Sequence, residues 1–515
     1  MRMGEKRPFV SIIILNYNSG EHLPHLLPSL HNLDYPADQY EILLVDNAST
    51  DDSVAWTKSH YPTVRIVENG ANLGFAAGNM AGVRVAKGEW VAILNPDTRV
   101  APDWLTELTR PIMTDHTVDC VASRMLNWEG TAVDFADAAI NFMGWGCQPG
   151  FGEPPRPQAN AKPLLFACGG AMLIKRDIFL KTGGFDPDYF AYFEDVDLGW
   201  RLWLMGYKVV YAPKATVYHR HHGTWDKVND AKRWVLAERN TLATIIKNYD
   251  NASLAYTLSA AVLLMAQRAY RDVNPAPHLF GVPTAPETAV YTPTYYLKQI
   301  WQLLRQGNFS ELYQRIHAEI QRRQRRQTPT HTTAQTTYST PHNGHLTAPP
   351  IAISRLIAAT HLHNAWPTLL EKRKTIQAYR RRSDKEIFPL FQWALISNFA
   401  DPAIIHATNH VVHKFHLSRL FDATQPLPAV SPAEYRRSLS VSRMLLQLMG
   451  RVTAEAQISA AAFALDGPTP QPVYQLPVTA VAILAEINRW LWELPDLPLP
   501  ALLIWLEDRI NTYHD

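Results

Sequence analysis

The sequence predicts an α/β fold with a mainly parallel, Rossmann-like sheet in its N-terminal part and helical parts after it. Three observations carry this. Short unbroken apolar runs alternate with helical patterns over residues 1–224, as strands covered on both faces of a sheet do. Polar residues collect just past those runs, at Asn16, Tyr17 and Asn18, at Asp46 and Asn47, and at Asn95, Pro96 and Asp97. Open α/β sheets bind ligands there, beyond the carboxyl ends of their strands. After Gly223 the β-branched runs give way to long helical patterns.

In chain order, Val10 to Leu15 reads as a buried strand and Glu21 to Leu30 as a helix. Glu41 to Val45, Val64 to Glu68 and Trp90 to Leu94 are the next strands, with helices at Asp52 to His60 and Ala76 to Ala86. Further on, Leu198 to Met205 has a helical pattern and Lys208 to Tyr211 is a strand. Ala231 to Tyr249 and Ser253 to Asp272 are helices. Pro-rich loops from Asn274 to Pro293 and a helix from Tyr295 to Arg326 follow. Thr328 to Pro350 is rich in Thr, His and Pro, the composition of a flexible linker. The expected organisation is therefore an α/β domain over 1–224, a helical extension over 225–327, a linker over 328–350 and a helical domain over 351–515.

Hydrophobic residues make up 47% of the 515, enough for a sizeable core, and the net charge is only +2. That charge sets up no global field for nucleic acid. Basic residues do cluster, at Arg322, Arg323, Arg325 and Arg326, at Lys372, Arg373 and Lys374, and at Arg380, Arg381 and Arg382. Aromatics do not interleave with them, which speaks against nucleic-acid binding. A solvated helix face is the ordinary reading. Attraction to anionic lipid is the second, because the apolar helix Leu254 to Ala266 lies near. No stretch reaches the ~18 uninterrupted apolar residues of a membrane span. The first apolar run is broken at Asn16 and reads as a strand rather than a signal peptide. Cys120, Cys147 and Cys168 form no C-x-x-C pair and fit a reducing compartment.

Three groups of residues carry chemistry. Asp97 follows the apolar strand WVAIL. A carboxylate at such a mouth can hold Mg²⁺ or Mn²⁺, which take oxygen ligands and share substrate phosphates; alternatively it caps the helix after Pro102. Glu194, Asp195 and Asp197 sit among Tyr189, Phe190, Tyr192, Phe193 and Trp200. N-capping explains one or two acids, not a triplet. Apolar surroundings raise a carboxylate's pKa, which suits a general base. His219, His221 and His222 follow in VYHRHHGT, and a metal-ligand role for at least one competes with a structural one. A weaker signal is His406, His410 and His413 at helical spacing, which lacks the glutamate of a zinc protease motif.

The stretches VSIIILNYNSG, EILLVDNASTDDS, NLGFAAGNMAGVRVAKGEWVAILNPDT, CGGAMLIKRDIFLKTGGFDPDYFAYFEDVDLGWRL and HRHHGT occur in this order between Val10 and Thr224. In this order they resemble the family-2 inverting glycosyltransferases of GT-A type, most closely the rhamnosyltransferase-like bacterial members. The resemblance implies roles for matching positions. Asp97 falls on the metal-binding acid of an Asp-x-Asp motif whose first acid is here Asn95, which leaves fewer carboxylates for the ion. His219 matches the position that completes metal coordination in some members, and Asp195 the catalytic base. Asp46 matches the acid that reads the nucleotide base. Asn16, Tyr17 and Asn18 form the loop beneath the nucleotide. Asn72, Gly74 and Asn79 belong to the donor-binding loop, and Gly169 and Gly170 lie near the transferred sugar. Glu194 and Asp197 would hold the acceptor or orient Asp195.

The expected function is inverting transfer of a hexose or deoxyhexose, rhamnose from a dTDP donor, to a cell-surface polysaccharide or lipid-linked glycan, with Mg²⁺ or Mn²⁺ as cofactor. Another donor class, such as a UDP-hexose or GDP-sugar, is the second enzymatic reading. A non-catalytic scaffold on a sugar-nucleotide fold is the other alternative. The partners implied are a nucleotide-diphosphate sugar and a glycan or lipid-linked acceptor, with no nucleic acid. The implied location is cytoplasmic, with peripheral contact at the inner face of the plasma membrane through Ser253 to Asp272 and the Arg322 to Arg326 cluster; the competing reading is that Leu254 to Ala266 packs inside the protein against Ala231 to Tyr249.

Overall fold

The structure, a computed structural model, describes residues 7–156, 160–220, 230–283, 338–464 and 467–514. The expected helix from Tyr295 to Arg326, its arginine cluster, His221 and His222, and the first part of the expected linker lie outside the described residues.

Strands β1 (Val10–Asn16), β2 (Tyr40–Asp46), β3 (Arg65–Glu68) and β4 (Trp90–Leu94) alternate with helices α1 (Leu23–His31), α2 (Ser53–His60) and α3 (Gly74–Val85). β5 (Thr98–Val100), α4 (Trp104–Thr114), β6 (Cys120–Asn127) and β7 (Val133–Phe135) follow. Two short strands, β8 (Ala139–Ile140) and β9 (Gly146–Cys147), pair only with each other. Then come β10 (Lys162–Pro163), β11 (Ala171–Lys175), α5 (Arg176–Lys181), α6 (Glu194–Leu204) and β12 (Val209–His219). The main sheet runs β10-β12-β6-β11-β4-β1-β2-β3, with β5 on β12 and β7 on β6. The half built from β4, β1, β2 and β3 is parallel, and β12 is parallel to β6. β11 runs antiparallel between β4 and β6, so the sheet is mixed.

Register places the polar residues. Asn16 lies opposite Asp46, and Ile14 opposite Leu94, so the chain leaves β1, β2 and β4 on one edge. The expected strand Lys208 to Tyr211 continues to His219 as β12, with a register shift between Ala212 and Thr216. Such irregularities re-aim a strand next to functional sites. α6 begins at Glu194 rather than Leu198, so the acid triplet lies in its first turn.

The later helices do not stand apart from the sheet. α7 (Asp230–Asn248) packs on α6, and α8 (Asn251–Val273) packs against helices Pro350–Asn364, Pro432–Glu455 and Val478–Glu493. One continuous apolar core reaches from Val10 to Ile510. Leu254, Leu258, Val262, Leu263 and Ala266 are fully buried in it. Of the two readings of this stretch the structure has the core one: it packs against α7 and the later helices, and only Tyr256 within it is half-buried. Of its flanking arginines, Arg268 is buried against Glu238 at 2.7 Å, and Arg271 reaches Asp401 at 3.2 Å. Among the described residues no helix is long and apolar enough to cross a membrane.

Of the basic residues on Trp366–Ala378 and beyond, Lys372, Arg373, Arg380 and Arg382 have protein partners, while Lys374 and Arg381 are exposed. Lys372 bridges Asp186 and Asp188 (2.5 and 2.6 Å). Arg373 donates to the carbonyls of Ile246 and Tyr249, and Arg382 to those of Gly206 and Tyr207. The end of the expected linker is a strand, His345–Ala348, paired with Tyr474–Pro477. His406 stacks on Trp492 and His410 meets the same ring at a tilt, so their spacing serves packing.

Candidate active site

The carboxyl edge of the parallel strands holds the first cluster. The Asn16 amide donates to Asp46 Oδ1 (2.8 Å), Ser49 Oγ (3.0 Å) and Ser53 Oγ (2.8 Å). The backbone N–H of Ser49 donates to Asp46 Oδ2 at 3.1 Å. Asn18 adopts a left-handed φ of 52°, which Asn tolerates, and its Oδ1 accepts from the Thr50 N–H at 2.7 Å. Tyr17, between them, is 48% exposed. Asn16 and Asn18 thus shape the loop, and Tyr17 projects from it.

The loop expected to bind the donor lies beside it. Asn72 Oδ1 accepts from the Gly74 N–H at 3.0 Å, and the Asn47 amide reaches Gly74 O at 3.1 Å. Gly74 has φ +74°, and a Cβ there would sit 2.6 Å from the Phe190 ring. Only glycine fits both the conformation and the approach. Asn79 is fully buried, and its amide donates to Phe75 O at 2.9 Å. Its Oδ1 is buried without a hydrogen-bond partner.

The second cluster gathers Asp97, His219 and Asp134. Asp97 is buried in the turn after β4, and its carbonyl accepts from the Arg220 N–H at 2.9 Å. The helix that follows has Asp103 as its N-cap residue, so Asp97 is not spent on capping. His219, at the end of β12, places Nε2 3.4 Å from Asp97 Oδ1. Its Nδ1 lies 2.6 Å from Asp134 Oδ2. Burial pulls the imidazole's pKa down, but the hydrogen bond to Asp134 and the charge of Asp97 overcome it and push it up to about 10. Asp97 Oδ1 makes no well-aligned hydrogen bond; its charge is met by the protonated His219 imidazole 3.4 Å away. Sequence reading missed Asp134. The signal was a lone carboxylate between Val133 and Phe135 in an apolar strand.

The third cluster is the acid triplet. Asp195 Oδ2 accepts from the Gly169 N–H (2.9 Å) and Oδ1 from the Val196 N–H (2.8 Å). Gly169 brings its backbone against Asp195 and the Phe75 ring, where a Cβ would press at 3.2 Å. Gly170 O accepts from the Asn95 N–H at 2.9 Å, which ties the Asp195 anchor to the turn carrying Asp97. Burial raises the pKa of Asp195, against the pull of its N–H donors. Burial, and then the neighbouring Asp195 charge, raises Glu194 well above the usual carboxylate range. Glu194 Oε2 is buried without a partner. Asp197, expected to assist Asp195, points elsewhere. It is fully buried and binds Arg201 Nε (2.8 Å), Asn248 Nδ2 (3.0 Å) and Lys247 Nζ (3.0 Å). Two residues after Asp195 in the first turn of α6, it points to the other side of the helix and into the core, where it neutralises buried cations.

Comparison with known proteins follows this geometry. The family model described as glycosyl transferase family 2 matches residues 11–183. An N-acetylglucosaminyl-diphospho-decaprenol L-rhamnosyltransferase of Mycobacterium tuberculosis is 30% identical over 238 residues, 41% of this chain and 76% of that protein. The low-salt glycan biosynthesis hexosyltransferase Agl10 of Haloferax volcanii is 28% identical, over 37% of this chain and 61% of that one. The rhamnosyltransferase WbbL of Escherichia coli K12 is 24% identical, over 48% and 99%. With the family's α/β sheet, its polar strand ends and these relatives in hand, the chain belongs to glycosyl transferase family 2 and is a glycosyltransferase.

Proposed function

We propose that this glycosyltransferase moves a deoxyhexose, rhamnose from a dTDP donor, onto a cell-surface polysaccharide or lipid-linked glycan with inversion at the anomeric carbon. The relatives named as rhamnosyltransferases support the sugar and the acceptor class. The observation that carries the chemistry is the line Asp134, His219, Asp97. A histidine whose Nδ1 is held by a carboxylate presents Nε2 as a ligand in a fixed direction; here Nε2 lies 3.4 Å from Asp97 Oδ1, and a divalent cation between them would take the place of the Nε2 proton.

Those two residues fit a divalent cation. Among the described residues no group of three or more His, Cys, Asp or Glu side chains forms a metal site of its own. Two protein ligands suit an ion such as Mg²⁺ or Mn²⁺ whose remaining positions go to substrate phosphates and water. Asp97 and His219 would hold it, and it would supply charge neutralisation to the departing diphosphate.

The chain's own residues do the rest. Asp46, Asn16 and Tyr17 form the nucleotide end, and Asn72 with Gly74 shapes the donor side. Asp195 takes the proton from the acceptor hydroxyl as that oxygen bonds the anomeric carbon and the bond to the diphosphate oxygen breaks. One displacement from the opposite face inverts the centre. The Gly169 and Val196 N–H groups aim the carboxylate, and its burial keeps it basic. Burial and the Asp195 charge raise Glu194 beside it, so proton uptake belongs to the pair. The test is nucleoside diphosphate release from dTDP-rhamnose, UDP-glucose, UDP-galactose and GDP-sugars with Mn²⁺ or Mg²⁺. Expected is fastest release from dTDP-rhamnose, abolished by chelator. Preference for a UDP- or GDP-sugar would overturn the rhamnose assignment, and full activity in chelator would overturn the metal.

A further inference from the structure

The loop that delivers Asp195 is strained. Phe190, Tyr192 and Phe193 have φ of 63°, 71° and 65°, conformations that bulky L side chains rarely adopt. Three in four residues, ending one residue before Glu194, persist only where the surroundings over-determine them. Part of the surroundings is α3, whose Ala76 N–H donates to Phe190 O at 3.1 Å; the rest comes from α7, beyond the stretch that the family model matches. The Asn240 amide donates to the carbonyls of Tyr189 (3.1 Å), Ala191 (2.9 Å) and Tyr192 (2.8 Å). Its Oδ1 accepts from Arg239 Nε at 2.9 Å, which fixes the amide so that its N–H groups face the loop. Arg239 also donates to the carbonyls of Asp188 and Tyr189. One turn on, Thr244 Oγ1 lies 2.6 Å from the buried Tyr189 hydroxyl. Two turns on, Asn248 holds Asp197 on the far side of Asp195.

We infer that Asn240 is a positioning residue for the transfer reaction: it clamps the strained 189–192 backbone and thereby sets where the Asp195 carboxylate meets the acceptor hydroxyl. Asn240 touches neither donor nor acceptor in this scheme. It is almost fully buried, and its three acceptors are main-chain carbonyls. A carboxylate moved by about 1 Å is enough to cost about 100-fold in rate. The inference rests on Asp195 as the base.

The experiment measures turnover of dTDP-rhamnose per nucleotide-binding site in Asn240→Ala, Thr244→Val and Asp195→Asn, with dTDP affinity measured alongside. Counting turnover per binding site removes any unfolded fraction, so a purely structural loss leaves it unchanged. Expected for Asn240→Ala is a fall of about 100-fold in turnover with dTDP affinity kept. Turnover per site at the parent level overturns the inference, and so does a parallel loss of turnover and dTDP affinity. If Asn240→Ala does not fold, Thr244→Val decides by the same criteria, with a fall of about 10-fold expected for the loss of one anchor. Near-parent turnover in Asp195→Asn defeats the base assignment itself. Full loss in Asp195→Asn with none in the α7 variants defeats only the role of Asn240.

Discussion

Arg373→Ala isolates the bracing between the C-terminal helices and the catalytic end. Arg373 is 3% exposed and donates to Ile246 O (2.8 Å), Tyr249 O (2.5 Å), Asn251 Oδ1 (2.7 Å) and Tyr435 Oη (2.9 Å). Ile246 and Tyr249 lie at the C-terminal end of α7, where carbonyls have few intrahelical partners and a cation is favoured. Hydrogen bonds to a charged group contribute about 1.5–3 kcal/mol each. The two side-chain acceptors are only part-buried and can turn to water, so the loss centres on the two carbonyls. That gives about 3–6 kcal/mol, a large share of the roughly 5–15 kcal/mol that holds a typical protein folded. The assay is urea denaturation followed by circular dichroism. Arg373→Lys should recover only part of the loss, because an ammonium cannot fork to both carbonyls. A change below about 1 kcal/mol in Arg373→Ala would refute the view that this region is built onto the catalytic end through α7.

Other outcomes follow from the same contacts. Asp134→Ala frees His219 Nδ1 and should weaken Mn²⁺ activation by about 10- to 100-fold; an unchanged Mn²⁺ titration counts against the Asp134–His219–Asp97 line. Asp97→Ala should lose several kcal/mol of transition-state stabilisation, read as turnover at saturating Mn²⁺; parent-level turnover removes Asp97 from the mechanism. As the proposed base, Asp195 must be ionised, and burial raises it above its ordinary 3.8. Turnover should therefore fall on acidification at a higher pH than a free aspartate would give, and an acid limb at or below that value contradicts the buried base. Leu263→Ala, in the core of α8, should cost about 2–5 kcal/mol of stability; unchanged stability with reduced sedimentation on anionic vesicles would restore the lipid-facing reading.

Much of the catalytic end was legible in sequence because strand ends are local features. The runs through Val10, Glu41 and Trp90 fixed where Asn16, Asp46 and Asp97 emerge, and those residues do share one edge. Asp195 and Gly169 were also singled out separately, and an N–H to carboxylate bond joins them. What was not legible depends on distant partners. Asp197 and Asp195 are two residues apart in an acidic run, yet helical geometry turns one toward Arg201 and Lys247 in the core. Arg373 looks like part of a solvated basic face until Ile246, 127 residues away, is placed beside it. The stretch Leu254 to Ala266 is equally apolar whether lipid or protein covers it, and only the packing of Pro350–Asn364, Pro432–Glu455 and Val478–Glu493 decides. Asn240 carries no motif at all; its role rests on three carbonyls of a loop about 50 residues earlier.

The most direct test of the proposed chemistry is the single-turnover rate of Asp195→Asn with saturating dTDP-rhamnose, Mn²⁺ and a lipid-linked glycan acceptor. Asparagine keeps the size and can still accept from the Gly169 N–H, but it takes no proton. A general base contributes about 10²- to 10⁴-fold, so the rate should fall within that range while dTDP affinity stays at the parent value. A rate close to the parent enzyme's, or a loss of dTDP binding that accounts for the whole fall, would contradict Asp195 as the group that takes the acceptor's proton.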